Sequence, residues 1–213
     1  NDSWGYVPYD KNWRSPRELV HMLVKINSKG GNFLLNVGPQ SDGRIPAPSI
    51  EVLQSVGEWT QRNAEAIYNT TASPFPPLAW GECTRKSGVL YLHVLDWPTD
   101  GVLRLPGLQG DIGRMTFLVS GQNLNYQREG ADVLVSLPAV IPDPFDTVIK
   151  LEYTGAITAE PLRCLMPDLV NVFEPATGIT TGKATMNKQS WMQGFGNWKH
   201  EQRIEQLSQP GDA

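Results

Sequence analysis

The chain contains 213 residues, a length that predicts one or two domains. Hydrophobic residues make up 40% of it and charged residues 19%, as in ordinary globular domains. The formal net charge is −4 and the sequence has no dense run of lysine or arginine, which argues against nucleic acid and anionic membranes as partners. No apolar stretch approaches the roughly 20 residues that span a bilayer. The composition therefore predicts neither a nucleic-acid partner nor a membrane partner.

Cysteine and histidine are sparse and scattered. Cys83 and Cys164 fit no metal-binding or redox spacing, so two unpaired structural thiols are expected, with one disulfide as the alternative. His21, His93 and His200 fall in no zinc-binding spacing, and no metal site is predicted. We expect His93, in a strongly apolar run, to be a partly buried side chain with satisfied hydrogen bonds. His21 is expected on a solvated helix face.

The first fourteen residues contain four aromatic side chains among glycine, proline, asparagine and aspartate, without periodicity. Such a loop either packs on a core or lines a pocket, and the composition leaves both possibilities open. A helix is predicted next, because Ser15 and Glu18 match a capping box and Pro16 suits the first turn. Its apolar residues recur at helical spacing, and Gly30 or Gly31 is expected to end it.

The run from Asn32 to Val37 is short, mostly apolar and bracketed by glycines, which predicts a strand. Helical patterns flank it, and this order is typical of a parallel sheet covered by helices. The two faces would carry Phe33, Leu35 and Val37 on one side and Asn32, Leu34 and Asn36 on the other. The second face suits the inside of a barrel, with Asn36 at the carboxyl end of the strand, where barrel enzymes build their sites. The alternative is that both amides only satisfy buried backbone groups.

A second helix is predicted over residues 48–68, and Pro74, Pro76 and Pro77 mark a boundary after it. Beyond the prolines the pattern becomes strand-like. Val89–Trp97 is apolar on both faces, which predicts a strand buried on both sides at a seam between two domains. Further short strands are predicted at residues 101–105, 115–120, 133–137 and 147–153. Strands at such short intervals indicate an antiparallel sandwich.

The last part of the chain follows no clear pattern. Residues 156–167 have the composition of a linker, and the polar segment after them contains Trp191, Phe195 and Trp198, too many aromatics for a plain disordered tail. The predicted organisation is a helix–strand–helix part over residues 1–73, an antiparallel β-sandwich over 74–155, and a linker with an unassigned, truncated module over 156–213.

Five short motifs follow one another through the first third of the chain. They are Ser3-Trp4-Gly5-Tyr6, Ser28 to Pro39, Asp42-Gly43-Arg44-Ile45, Val56-Gly57-Glu58-Trp59 and Asn63 to Tyr68. In this order and spacing they resemble the alpha-L-fucosidases of glycoside hydrolase family twenty-nine. The sandwich resembles the C-terminal β domain that follows the barrel in that family. The fold class implied is α/β plus all-β: the terminal helix–strand–helix portion of a TIM (β/α)8 barrel, then an antiparallel β-sandwich, with an unassigned tail.

The resemblance implies a retaining glycosidase that hydrolyses terminal alpha-L-fucosyl linkages by double displacement. Such enzymes use two carboxyl groups about 5 Å apart and need no metal and no organic cofactor. The implied partner is a fucosylated glycan or glycoside. The family also implies a secreted, periplasmic or lysosomal location.

The family's nucleophile, acid/base and histidine-rich pocket lie upstream of the Trp-Gly-Tyr motif, so no catalytic residue is assigned in this chain. By itself the chain is expected to be inactive. Trp4, Tyr6 and Asn36 match substrate-binding positions, and a structural role is the alternative for each of them. A second hypothesis is a non-catalytic carbohydrate-binding module, based on the sandwich and on the aromatic tail.

Overall fold

The computed structural model describes residues 4–159, 185–190 and 200–205. The chain separates into two compact units, Asn1–Cys164 and Leu165–Ala213. The described part of the first unit contains three helices and seven strands. The predictions for Cys164, Trp191, Phe195 and Trp198 concern positions outside the described residues.

Helix α1 spans Pro16–Asn27, and its predicted start is confirmed. The Glu18 amide donates to the Ser15 hydroxyl over 3.2 Å, and the Ser15 amide donates to the Glu18 carboxylate over 2.7 Å. These two bonds satisfy amides that a helix start otherwise leaves free. The hydrogen bonds from Ser15 also hold the pKa of Glu18 below its ordinary value.

The predicted second helix is divided in two. Helix α2 spans Ala47–Arg62 and helix α3 spans Ala64–Ile67. At the break, both the backbone amide and the side-chain amide of buried Asn63 donate to the Trp59 carbonyl over 3.0 Å. Asparagine side chains compete with the backbone for such bonds, so Asn63 ends one helix and the next begins after it. Within the described residues, no helix is both long and apolar enough to cross a bilayer.

The segment predicted as a strand, residues 32–37, is neither a helix nor a paired strand. Its predicted alternation of faces is present: Phe33, Leu35 and Val37 are half-buried, whereas Asn32, Leu34 and Asn36 are exposed. A parallel strand needs a neighbour to receive its backbone hydrogen bonds, and no described strand pairs with this segment. The periodicity therefore predicted the two faces correctly, but the strand pairing itself is not formed here.

Seven strands follow, and all pair antiparallel, as predicted for a sandwich. Their bounds are β1 Gly81–Lys86, β2 Val89–Val94, β3 Val102–Leu105, β4 Leu108–Phe117, β5 Tyr126–Glu129, β6 Asp132–Ser136 and β7 Thr147–Ala159. One sheet has the order β1-β2-β7-β4 and the other has the order β3-β6-β5. Strands β1 and β5 were not predicted, because neither shows an apolar alternation. Strand β7 continues past the predicted end into the expected linker.

The two sheets pack face to face over one hydrophobic core. The larger sheet contributes Leu90, Leu92, Ile149 and Leu151, and the smaller sheet contributes Leu103, Leu105, Val133 and Val135. Buried Cys83, a free thiol, lies in the same core. Its burial raises the thiol pKa well above the ordinary value, so the thiol stays protonated and inert.

The outer face of the larger sheet is covered by the helices. A second core joins Val20 and Val24 of α1 and Trp59 of α2 to Tyr91 of β2 and Val148 of β7. Strand β2 is therefore buried on both sides, which confirms the two-sided burial predicted for this run, although the strand ends at Val94 and not at Trp97. We call this contact layer between the helices and the larger sheet the seam.

Polar groups also cross the seam. Glu65 of α3 accepts hydrogen bonds from the Tyr91 hydroxyl over 2.8 Å and from Lys150 over 2.6 Å, and the Lys150 bond lowers the Glu65 pKa. Arg17 donates to the Leu95 carbonyl. His21 lies 2.8 Å from the Phe145 carbonyl, so it is half-buried in the seam and not on a solvated face as expected.

In the second unit, strand β8 (Thr185–Ser190) pairs antiparallel with strand β9 (His200–Glu205). The tail was left without a fold assignment, and this hairpin is the part of it that the structure describes.

Candidate functional site

The three predicted substrate-binding residues lie together. The side-chain amide of Asn36 donates to the Trp4 backbone carbonyl over 2.6 Å, across 32 positions of sequence. Two residues further along, Gly38 packs directly on the backbone of Gly5 and Tyr6. The end of the extended segment therefore contacts the aromatic loop of residues 4–6, which we call the Trp4 loop.

Gly38 is required by this contact and not by its own backbone angles. A β-carbon at Gly38 would lie 2.5 Å from the Tyr6 amide nitrogen and 2.6 Å from the Gly5 carbonyl carbon. Both distances are shorter than real contacts of a β-carbon, and both partners are backbone atoms that cannot rotate away. Only glycine lets the two segments approach this closely.

The Trp4 ring points away from the protein and is 93% exposed. Leu34, on the same face of the extended segment as Asn36, is 90% exposed, while Tyr6 is half-buried. An exposed aromatic face held by its own backbone can pack on the apolar face of a ring-shaped ligand, and a neighbouring amide can bond to hydroxyl groups. None of these side chains is an acid or a base, so the group can bind a ligand but has no residue for proton transfer.

A second polar cluster lies in the seam, where His93 of β2 and Asp146 are both fully buried. His93 Nδ1 lies 2.7 Å from Asp146 Oδ2, and His93 Nε2 lies 3.2 Å from the Thr84 hydroxyl. That hydroxyl donates to the Ala66 carbonyl of α3 over 2.7 Å, and the Trp59 indole donates to the Asp146 carbonyl over 3.1 Å. A continuous network of hydrogen bonds thus links α3 through the larger sheet to α2.

The hydrogen bonds of this cluster place an acceptor at each ring nitrogen of His93. The Thr84 hydroxyl has one proton, which it gives to Ala66, so it accepts from His93 Nε2. An Asp146 carboxylate oxygen lies against Nδ1, so both ring nitrogens of His93 face oxygen atoms of the protein. The second carboxylate oxygen of Asp146 is buried without a hydrogen-bond partner among the described residues.

This buried pair has no path to a ligand, because both side chains are fully buried. The expectation that His93 is a satisfied side chain is confirmed, and its burial is complete and not partial. Sequence patterns did not identify the partners of His93. Asp146 follows the turn of residues 142–145, where an aspartate usually caps a loop, and Thr84 lies in the strand that was not predicted. Within the described residues, no group of three or more histidine, cysteine or acidic side chains could hold a metal ion.

Comparison with known proteins relates the chain to one family of glycosidases. Residues 1–65 match the family model described as alpha-L-fucosidase. Human plasma alpha-L-fucosidase is 35% identical over 146 residues, which are 64% of this chain and 31% of that protein.

Solved structures agree with the sequence matches. Alpha-L-fucosidase isoenzyme 1 from Paenibacillus thiaminolyticus superimposes with a TM-score of 0.69 at 37% identity, over 73% of this chain and 38% of the other. A family 29 alpha-L-fucosidase from Bacteroides thetaiotaomicron, trapped as a covalent intermediate with 2-fluoro-fucosyl fluoride, gives a TM-score of 0.63 at 27% identity, over 71% of this chain and 36% of the other.

Fold and sequence comparisons thus agree on one group of enzymes. The chain is similar to alpha-L-fucosidases, as the Trp-Gly-Tyr and Asn-Phe-Leu-Leu-Asn motifs indicated. The chain spans about a third of the length of the curated relatives it matches.

Proposed function

We propose that this chain acts as the C-terminal part of a retaining alpha-L-fucosidase. In this proposal residues 4–67 complete a (β/α)8 barrel, and the β-sandwich packs against the helices of that part. The observation that carries the proposal is the family match over residues 1–65, in the same stretch where Asn36 holds the Trp4 loop. The predicted boundaries of the three parts, at residues 73 and 155, are retained as part of this proposal.

Exposed apolar side chains are consistent with a barrel that other strands complete. The extended segment presents Leu34 to solvent, and α2 presents Ile50 and Leu53 beside an open hollow that also contacts Arg44 and Ile45. Large apolar side chains exposed in this way are often covered by a partner surface. Parallel barrel strands on either side of residues 32–37 would receive their backbone hydrogen bonds and bury Leu34.

The chemistry would be that of a retaining glycosidase. One carboxylate attacks the anomeric carbon of the fucosyl group while a second carboxyl group protonates the departing oxygen; water, activated by the second group, then releases fucose. The covalent intermediate trapped in the Bacteroides enzyme supports this route. We assign neither carboxyl group to this chain. Trp4 would pack on the sugar ring, with Tyr6 beside it.

We assign the β-sandwich a structural role, in which it packs against the helices and does not bind the glycan. Its larger sheet uses one face for the core and the other for the helices, so no broad face of that sheet remains for a glycan. The alternative of a non-catalytic carbohydrate-binding module is not favoured, because the relatives matched by sequence and structure are hydrolases.

The 213-residue chain by itself is expected to release no detectable product from an aryl alpha-L-fucoside, because none of the residues gathered at the Trp4 loop is an acid. The decisive experiment grafts residues 4–159 into the Paenibacillus enzyme in place of the segment they match. Turnover of the aryl fucoside with retained configuration is expected from the graft. A folded graft without activity, or turnover by the isolated chain, would contradict the proposal.

A further inference from the structure

The Trp4 loop is anchored at two points by residues of the segment 32–38. Asn36 donates one hydrogen bond of 2.6 Å to the Trp4 carbonyl. Gly38 adds a backbone-on-backbone contact with Gly5 and Tyr6. Both anchors act on the main chain of the loop, and neither touches the Trp4 ring, which stays exposed.

This geometry gives Asn36 a role within the protein. One N–H of its side-chain amide is committed to the Trp4 carbonyl, so that N–H is not available for a sugar hydroxyl. Loops that carry binding residues are mobile unless a rigid element holds them. An anchored loop lowers the ordering cost that a ligand would otherwise have to overcome.

We propose that Asn36 and Gly38 are positioning residues: the Asn36 side-chain amide and the missing side chain of Gly38 hold the Trp4 loop so that the Trp4 ring is oriented before the fucosyl group binds. This proposal rests on the proposed function for the identity of the ligand. It does not rest on it for the anchoring, which is a property of the chain alone.

The first test uses hydrogen–deuterium exchange on the 213-residue chain. Asn36→Asp keeps the shape of the side chain but replaces the amide donor with a carboxylate, and Gly38→Ala forces the two backbones apart. Each variant is expected to raise the exchange rate of residues 4–10 by about fivefold, the ratio expected for one lost hydrogen bond. Exchange in β7 should not change, which shows that the sandwich remains folded.

Asn32→Asp is the matched control. Asn32 lies on the same exposed face of the segment and makes no hydrogen bond among the described residues, so its variant should exchange like the parent chain. Unchanged exchange in both Asn36→Asp and Gly38→Ala, or an equal increase in Asn32→Asp, would overturn the proposal.

The second test measures kinetics in the active graft. Asn36→Asp and Gly38→Ala are expected to raise KM for an aryl alpha-L-fucoside about fivefold and to change kcat by less than twofold, and Trp4→Ala should raise KM at least as much. Faster exchange with unchanged KM would overturn the positioning role while the proposed function stands. A graft that is inactive before any of these changes would count against the proposed function, and the exchange rates alone would then decide whether the two residues hold the loop.

Discussion

Replacing Asp146 with alanine is expected to lower the free energy of unfolding by about 3–5 kcal/mol at neutral pH. The change leaves the His93 ring fully buried without its carboxylate partner, while the bond from His93 to Thr84 remains. Removing one partner of a buried pair leaves the other buried and unsatisfied, and this cost is the physical reason. Urea denaturation followed by tryptophan fluorescence measures it, provided the denaturant slope is unchanged.

Asp42→Ala is the control, since Asp42 forms an ion pair with Arg44 in which both side chains are more than half exposed. Its loss is expected to be at most about 1 kcal/mol. A double variant, His93→Leu with Asp146→Leu, should recover much of the loss, because it removes both buried partners together. A loss below about 1 kcal/mol for Asp146→Ala would show that the pair does not hold the seam.

Trp59→Ala is the second large effect expected, again about 3–5 kcal/mol of unfolding free energy. The Trp59 ring is fully buried between α2 and the larger sheet, and its indole N–H donates to the Asp146 carbonyl. The substitution opens a cavity and leaves a buried carbonyl without its donor. Urea denaturation followed by far-ultraviolet circular dichroism avoids dependence on the tryptophan signal.

The same substitution at Trp4 is the control. Because that ring is 93% exposed, Trp4→Ala should change stability by no more than about 0.5 kcal/mol. If the two variants were equally stable, the helices would not be packed on the sandwich in solution as the seam requires. The pair also separates the two tryptophans by role: Trp59 stabilises the fold, while Trp4 serves binding in the proposed function.

Local signals predicted much of this molecule. The capping box of Ser15 and Glu18 lies within one helical turn, so its bonds follow from neighbouring residues alone. The two apolar faces of β2 predicted burial on both sides, and the structure supplies the core on each side. Trp4, Tyr6 and Asn36 were singled out by resemblance, and the structure brings them to one place.

Other features could not be predicted, because their partners are distant in sequence. The Asn36 bond joins residues 32 positions apart, and the His93–Asp146 pair joins residues 53 apart. No pattern in a single sequence specifies such a pair, since an aspartate after a proline turn is also the usual sign of a loop cap. Gly38 is a similar case. Only glycine fits there, because the backbone of Tyr6, which is distant in sequence, lies where a β-carbon would be.

The amino-acid order alone determines the local features of this chain: where a helix begins, which side chains share a face, and where strands replace helices. These features depend on residues within a few positions of one another, where the backbone has few choices. The tertiary structure decides which faces meet, so it makes β2 a central strand and leaves residues 32–37 extended but unpaired. The reason is that a strand is completed only by the hydrogen bonds of a neighbour, whereas a capped helix forms its bonds within itself.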